Sequence, residues 1–260
     1  MIYSSTKALL LRYFPAPAEL FTSLKTPIAQ HFIRTFPSPQ LAARLDLEQF
    51  QNFAKQYHYV HYRKLPAVLA KLHQPYPQAD QGIILASQQE AQLLASILLE
   101  MIAAKKNMLH EIKILFSQHP DRDIFASLPG TGEYLQPALL AKFGDDRNRF
   151  PTASRVQALA GTCPVTISSS KRKQVRFRKS CDHDFRHIVL QWARTSLRQS
   201  VWANAYFSQI RPRCESDSHA FRYLGNRWLA ILWRLWQDQI PYDKAYHLQQ
   251  RALRSQPKSI

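Results

Sequence analysis

The stretch that decides the fold is residues 83–119, IILASQQEAQLLASILLEMIAAKKNMLHEIKILFSQH, which contains neither glycine nor proline. Its apolar residues recur at intervals of three and four, the spacing that places side chains on one face of a helix. That face holds Leu94, Leu98, Met101, Met108, Ile112 and Leu115. Pro120 cannot continue the helix. We therefore predict a long amphipathic helix that closes a first domain, residues 1–120, and precedes a second, residues 121–260.

The apolar face of this helix has two interpretations. It packs against its own domain, or it pairs with the same helix of a second chain as a coiled coil. Only sustained heptads would require the coiled coil, so the sequence leaves both open. In the second case the chain is a homo-oligomer joined through residues 83–119.

The rest of the chain also favours helices. It has six glycines and sixteen prolines, which suits helices separated by prolines better than strands joined by tight turns. Ser38-Pro39 and Asp46 are typical helix starts within the proline-rich first 80 residues. The predicted fold is mostly α: short connector helices, the long helix, and then a helical domain.

Composition and charge exclude several protein classes. Hydrophobic residues make up 45% of the chain, too many for a disordered protein. No window approaches the roughly twenty uncharged apolar residues of a membrane span, and the apolar run near the start is too short for a signal peptide. Three cysteines are unlike the framework of a secreted protein. We expect a cytoplasmic protein with no membrane partner.

The net charge of +17 indicates a polyanionic partner. The excess is uneven, because 22 of the 35 Lys and Arg follow Ile124 whereas the 18 acidic residues are shared equally between the two parts. Nucleic acid is the favoured partner, and a membrane surface is the second interpretation. DNA would then bind the second half of the chain.

Residues 124–144 have the pattern of a helix-hairpin-helix. An apolar segment leads to Pro129-Gly-Thr-Gly132, and a second apolar segment runs to Gly144. Two glycines let a backbone approach a phosphate closely, and the amides that open the second helix can donate to it. We therefore predict that Gly130, Thr131 and Gly132 contact a nucleic-acid backbone. Pro137 should kink or delay the second helix.

The next segment is serine-rich and then basic. Ser168, Ser169 and Ser170 precede a run of cations without an acid: Lys171, Arg172, Lys173, Arg176, Arg178 and Lys179. The run is either a solvated loop or a phosphate-binding surface, and in a chain of this charge we favour the second. Val175 and Phe177 alternate as in a short half-buried strand. A serine here could attack a phosphate if a base, a metal or positive charge assists it.

Two apolar helices are predicted downstream, over residues 184–209 and 218–239. We expect their five tryptophans to lie in the core rather than to stack on bases. Their arginines form a basic outer face, and these are Arg194, Arg198, Arg222, Arg227 and Arg234. Cys181, His183 and His187 lack a fourth ligand at zinc-site spacing, so we predict no metal site and no cofactor in this chain.

Taken together, these motifs resemble the C-terminal domain of the IS one-ten (IS116/IS110/IS902) family of insertion-sequence transposases. The resemblance covers about residues 124–242, and residues 1–120 are similar to the connecting region of that family. It is carried by six segments: Leu128–Gly132, Ala138–Asp145, Phe150, Leu159–Pro164, Ser168-Ser169 and Lys179–Arg186.

The resemblance implies a transposase that cuts and rejoins DNA through a phosphoserine, with an element-encoded bridge RNA joining insertion-sequence ends and target. The family serine comes five residues after the proline of its motif, so counting from Pro164 selects Ser169, with Ser168 as the neighbouring alternative. Relatives also carry an N-terminal RuvC-like domain whose carboxylates bind Mg²⁺. We expect that domain to be missing here, which predicts a chain that binds DNA but is inactive alone. The alternative is a non-catalytic DNA- or RNA-binding remnant that dimerises or modulates an intact transposase.

Overall fold

The computed structural model describes residues 2–21, 23–74, 79–169, 172–246 and 248–249, with backbone only at 167–169 and 172–175. The chain divides into two compact units, residues 1–110 and 111–260. The division falls inside the long helix, α7. Helices dominate both units, which confirms the predicted mostly α fold.

The first unit consists of short helices and most of α7. Their bounds are α1 Ile2–Tyr13, α2 Ala16–Leu20, α3 Pro27–Thr35, α4 Pro39–Ala42, α5 Leu47–Gln56, a 3-10 turn Tyr62–Lys64, α6 Leu65–Leu72 and α7 Gln81–Gln118.

Two predicted helix starts are confirmed in this unit. The Ser38 hydroxyl accepts a hydrogen bond from the Leu41 amide at the start of α4. Asp46 accepts from the Gln49 amide at 2.7 Å, and Gln49 accepts from the Asp46 amide, which forms a capping box at α5. Phe32, fully buried, packs against four other phenylalanine rings at the centre of the core, Phe21, Phe36, Phe50 and Phe53.

Helix α7 confirms the predicted long helix. One part of its apolar face is buried, and the other part is exposed. Leu98 is buried, and Leu94 packs against the core of the first unit. Further along the same face, Met108 and Leu115 are 63% and 67% exposed. Helix α7 is long and apolar enough to cross a membrane. Core helices of soluble proteins meet the same criterion of length and composition.

The second unit contains one two-stranded sheet and the remaining helices. Their bounds are α8 Arg122–Ala126, α9 Gly132–Phe143, a 3-10 turn Arg147–Arg149, α10 Ala153–Leu159, β1 Val165–Ser169, β2 Arg172–Arg176, α11 His183–Ser196, α12 Val201–Ile210, a 3-10 turn Arg211–Arg213 and α13 Asp217–Asp238.

Tryptophans fill the core of the second unit, as predicted. The Trp228 ring lies 5.0 Å from that of Trp192 and 4.6 Å from that of Trp202. Trp236 is fully buried against Phe143. The fifth, Trp233, is partly buried against the same core. These contacts account for the tryptophans of α11, α12 and α13 as part of the core.

One prediction about these helices is wrong. The predicted helix over residues 184–209 is two helices, because α11 ends at Ser196 and α12 begins after Ser200. Ser196 is buried and its hydroxyl accepts from the Trp228 indole at 2.9 Å, while the Ser200 hydroxyl caps α12 by accepting from the Ala203 amide.

Pro137 does not delay the second helix of the predicted hairpin. Helix α9 begins at Gly132, five residues before the proline, and continues through it to Phe143. The buried side chains of α9, Leu135, Leu139, Leu140 and Phe143, hold the helix on the core. Their packing compensates for the backbone hydrogen bond that the proline cannot donate.

Candidate nucleic-acid interface

The predicted serine and three of the six predicted cations, Arg172, Lys173 and Arg176, lie in one antiparallel hairpin, β1–β2. In its register Val165 pairs with Arg176, and Ser169 pairs with Arg172 at the far end. Ser170 and Lys171, which separate the two strands in the sequence, lie outside the described residues, and so does the predicted contact of Lys171. The short strand expected around Val175 is confirmed as β2.

The hairpin brings the predicted phosphate-binding residues close to Ser169 along the backbone. Arg172 pairs with Ser169, and Lys173 pairs with Ser168. Arg176 ends β2, and Lys179 follows three residues later; both side chains are exposed, whereas Arg178 is half-buried. The hairpin therefore places two cationic residues of β2 opposite the candidate nucleophile and its neighbour along the backbone, and their contacts with a phosphate remain predictions.

Phe177, directly after β2, connects the hairpin to α11 and α13. Its ring is 45% exposed, and two guanidinium groups lie over it: that of Arg186 in α11 at 4.5 Å and that of Arg222 in α13 at 4.3 Å from the centroid. Arg186 also donates to the carbonyl oxygen of Arg178. Arg186 thus joins the exit of the hairpin to α11.

Gly161 permits Arg186 to occupy this position. The residue has φ +62°, and a Cβ there would lie 2.3 Å from Nη2 of Arg186 and 2.7 Å from Sγ of Cys181. Any side chain at this position would displace the arginine. The segment that enters the hairpin is therefore packed directly on the residue that holds its exit.

Asp182 joins the segment after the hairpin to two other elements. Its carboxylate caps α11 by accepting from the Phe185 amide at 2.8 Å, and it accepts from Lys142 of α9 at 2.7 Å. The Lys142 hydrogen bond, followed by that of the Phe185 amide, lowers the pKa of Asp182 below its usual range. The Asp182 amide donates to the Leu159 carbonyl at the end of α10.

The Pro-Gly-Thr-Gly turn between α8 and α9 packs closely against α11. The Gly130 amide donates to the side-chain oxygen of Gln199 at 2.7 Å, and the Gly130 carbonyl accepts from the Thr195 hydroxyl at 2.6 Å. Thr131 is buried, and its hydroxyl donates to the Leu128 carbonyl. These contacts fix the conformation of the turn.

Gly132 differs from Gly130 because it is exposed and a Cβ there would meet nothing within 4 Å. It opens α9, whose first helical hydrogen bond runs from the Leu135 amide to the Thr131 carbonyl. The amides before Leu135 therefore lie at the start of a helix, the geometry that favours an anion. The phosphate contacts predicted for Gly130, Thr131 and Gly132 remain predictions.

Sequence reasoning missed Arg186 and Arg222 as members of this site. Arg222 looked like one more cation on a basic helix face, and Arg186 is nine residues from Phe177. No local pattern reports that α11 and α13 bring both guanidinium groups to one aromatic ring. The signal that could have found them is the absence of an acid around Phe177, combined with the packing of the two helices.

The described residues contain no cluster of side chains that could bind a metal ion. Within the described ranges, no three or more His, Cys, Asp and Glu side chains are grouped so that they could hold a metal ion. His183 and His187 are both exposed on α11. The residues present therefore do not fit the Mg²⁺ site that the family resemblance implies, and we assign no step to that ion.

Comparison with known proteins places these elements in a family. Residues 122–208, from the start of α8 into α12, match the family model described as "Transposase IS116/IS110/IS902 family". A Streptomyces coelicolor mini-circle protein assigned as the transposase for IS117 is 27% identical over 264 residues, covering 94% of this chain and 60% of that protein.

Two further relatives match shorter segments. The uncharacterized 42 kDa protein of insertion element IS900 from Mycobacterium paratuberculosis is 27% identical over 135 residues, 50% of this chain and 33% of that protein. The uncharacterized 43.6 kDa protein of IS110 from Streptomyces coelicolor is 23% identical over 151 residues, 58% of this chain and 37% of that protein. The chain thus spans between a third and about three fifths of the length of these relatives. Residues 122–208 of this chain thus match the IS116/IS110/IS902 transposase family, and the relatives are proteins of insertion elements.

Proposed function

We propose that this chain acts in DNA transposition, binding DNA through its second unit and supplying Ser169 as the nucleophile of strand cleavage. The observation that carries the proposal is the β1–β2 hairpin, which pairs Ser169 with Arg172 and Ser168 with Lys173. A serine flanked by cations suits phosphoryl transfer, because positive charge stabilises the phosphorane as it forms. The relative assigned as the transposase for IS117 supports the same reaction class.

In the proposed step the Ser169 hydroxyl oxygen attacks a scissile phosphorus. A serine–phosphate ester bond forms, and one phosphorus–oxygen bond to deoxyribose breaks. The proton lost by serine balances the one gained by the departing sugar hydroxyl. Rejoining is the reverse reaction with a different sugar hydroxyl, so the energy of the phosphodiester is conserved in the ester. The exposed cations Arg176 and Lys179 hold the DNA backbone near the hairpin.

The turn before α9 gives a second contact with the DNA backbone. As part of a helix-hairpin-helix, the exposed Gly132 and the first amides of α9 donate to a phosphate. Such contacts read no base sequence, so they position the duplex without selecting it. Target choice then comes from a bridge RNA, as the family resemblance implies.

The isolated chain is proposed to bind DNA without completing strand exchange. The family's Mg²⁺-binding carboxylates belong to a RuvC-like domain, and the described residues offer no equivalent group. The test supplies that domain from a family member as a separate protein, with Mg²⁺ and end-labelled DNA carrying insertion-sequence ends. Wild-type chain should give DNA-linked protein that survives denaturation.

The matched control for this test is the neighbouring serine. Ser168→Ala should keep the covalent adduct, whereas Ser169→Ala should abolish it while leaving DNA affinity unchanged. An adduct that persists in Ser169→Ala and disappears in Ser168→Ala would identify Ser168 as the nucleophile. An adduct formed by this chain and Mg²⁺ alone would contradict the proposed inactivity.

A second candidate function is a non-catalytic module that binds DNA or bridge RNA and pairs with an intact transposase. The exposed half of the α7 face favours it, because Met108, Leu115 and their neighbours form an apolar stripe on the surface. Two copies of α7 burying this stripe would give a homo-oligomer. Loss of transposition in Ser169→Ala would exclude this function, since a binding module does not need the hydroxyl.

A further inference from the structure

Two half-buried arginines, Arg186 and Arg222, meet over Phe177 at the base of the hairpin, and a third, Arg178, is the next residue in the chain. Arg186 and Arg222 both lie over the Phe177 ring, and Arg186 donates to the Arg178 carbonyl. They come from three different elements: the segment after β2, α11 and α13. Their guanidinium groups are partly removed from water, which is costly for a cation unless a partner compensates.

No carboxylate forms an ion pair with these arginines among the described residues. The ion pairs of the second unit involve other cations, such as Lys142 with Asp182 and Arg147 with Asp121. Burial and then the neighbouring Arg186 lower the pKa of Arg222, and Glu215 acts more weakly in the opposite direction. The like charges of Arg186 and Arg222 therefore act on each other, with no carboxylate in ion-pair contact with either among the described residues.

The same arginines have unused hydrogen-bond donors. The Nε atoms of Arg178 and Arg186 are buried and have no acceptor within the part of the chain that the structure describes. Buried donors are almost always paired in folded proteins, so each one needs an acceptor. Because guanidinium groups only donate, the missing partner must be an acceptor, and the excess charge makes it an anion.

The aromatic ring at this position is a contact surface for cations. Phe177 carries two guanidinium groups within 4.5 Å of its centroid. The ring holds the arginines in place by cation–π contacts. Planar guanidinium groups in fixed orientations bind phosphate oxygens well, often through two hydrogen bonds at once.

We propose that Arg178, Arg186 and Arg222 form a binding site for one backbone phosphate of DNA at the base of the serine hairpin. This inference rests on the proposed function, because it names a contact that holds the same DNA. Two of the three arginines come from helices rather than from the hairpin. The bound phosphate therefore fixes the DNA relative to the α11–α13 core as well as to β1–β2.

The experiment compares Arg222→Gln with Arg227→Gln in the whole chain. Arg227 is the matched control, since it lies on α13, is exposed and also rests over an aromatic ring, that of Tyr206. Thermal unfolding is measured at constant ionic strength with and without inorganic phosphate. The affinity for a fluorescent DNA duplex is then measured at several salt concentrations.

The proposal predicts that phosphate raises the unfolding temperature of wild type and Arg227→Gln but not of Arg222→Gln. Arg222→Gln should also weaken DNA binding by about tenfold, the loss expected for one charge-assisted hydrogen bond, and Arg227→Gln by much less. Arg186→Gln should match Arg222→Gln. If Arg186→Gln unfolds the hairpin, Arg222→Lys provides a second variant. It keeps the positive charge but loses the planar guanidinium group with its paired donors, so its DNA affinity should lie between those of Arg222→Gln and wild type.

Three results would overturn the inference. Equal losses in Arg222→Gln and Arg227→Gln would show a general charge effect. A phosphate effect that survives Arg222→Gln would place the anion elsewhere. Unchanged DNA affinity in Arg222→Gln, with wild type binding DNA, would reject this site while leaving the proposed function intact. Failure of wild type to bind any DNA would instead contradict the proposed function, and the phosphate measurement would still decide whether the arginines form an oxyanion site.

Discussion

The two glycines of the turn before α9 should differ sharply when each is replaced by alanine. Both have positive φ, +82° at Gly130 and +58° at Gly132, so each alanine costs about 1–2 kcal/mol of backbone strain. At Gly130 the new Cβ would also lie 2.6 Å from the backbone of Ser196, which cannot rotate away. Overpacking of this kind costs about 1–3 kcal/mol more.

We therefore expect Gly130→Ala to lower the free energy of unfolding by about 2–5 kcal/mol and Gly132→Ala by about 1–2 kcal/mol. Urea unfolding followed by tryptophan fluorescence is a suitable assay, because Trp192, Trp202 and Trp228 lie in the core of the same unit. Trp192 also donates to the Pro129 carbonyl within this turn, so its emission should report the change directly.

Equal destabilisation by the two alanines would refute this reasoning, because only Gly130 approaches the backbone of α11. The two alanine variants also distinguish an effect on packing from an effect on DNA binding. Gly132 is the exposed glycine, so DNA affinity should fall in Gly132→Ala beyond what its small loss of stability explains. A Gly132→Ala protein with unchanged DNA affinity would remove this position from the proposed interface.

Further predictions concern stability, pH and assembly. Asp182→Ala should lower the free energy of unfolding by about 1–2 kcal/mol through loss of the α11 cap and the Lys142 pair, as measured by urea unfolding at neutral pH. Because the pKa of Asp182 is lowered in the folded state, this stabilisation is present above the unfolded pKa of about 3.9 and is lost as pH falls through the folded pKa; a wild-type advantage that grows in acid would contradict the assignment. Leu115→Lys on the exposed α7 face should convert the proposed homo-oligomer to monomer in sedimentation experiments, whereas Asn107→Lys, which adds the same charge next to that face, should not; equal effects would argue against pairing through α7. Phe177→Ala should leave the folded core intact, since the ring lies outside it, but should weaken DNA binding several-fold by releasing Arg186 and Arg222; unchanged affinity would show that the ring does not hold them.

Local patterns predicted most of the helices because local physics determines them. The 3.6-residue period of residues 83–119 is enough to specify α7. Ser38 and Asp46 cap helices through hydrogen bonds that span only three residues. The tryptophans of α11 and α13 lie in the core because their spacing puts them on one apolar face.

The predictions that failed depend on contacts between distant residues. The segment Leu197-Arg198-Gln199-Ser200 has neither glycine nor proline, and its one start signal is Ser200, which caps α12. The indole of Trp228, 32 residues after Ser196, bonds its hydroxyl where α11 ends. Pro137 likewise looked like a helix breaker because the packing that outweighs it is not visible in sequence.

In the candidate site, too, local sequence motifs predicted some residues, whereas others are brought in only by tertiary packing. Sequence motifs selected the serine and the basic run, and the hairpin brings them together. In contrast, Gly130 and Gly132 look equivalent in sequence, and only the packing of α11 distinguishes them. Arg186 and Arg222 join the site because helix packing brings them to Phe177, which no spacing rule reports.

The most direct test of the account measures DNA affinity after two charges are removed from the hairpin. Arg172→Gln combined with Lys173→Gln should weaken duplex binding by at least about tenfold and reduce the salt dependence by about two phosphate contacts. Lys105→Gln combined with Lys106→Gln removes the same charge from exposed positions of α7 and should have a much smaller effect. Equal losses from the two double variants would contradict the claim that this protein holds DNA at the serine hairpin.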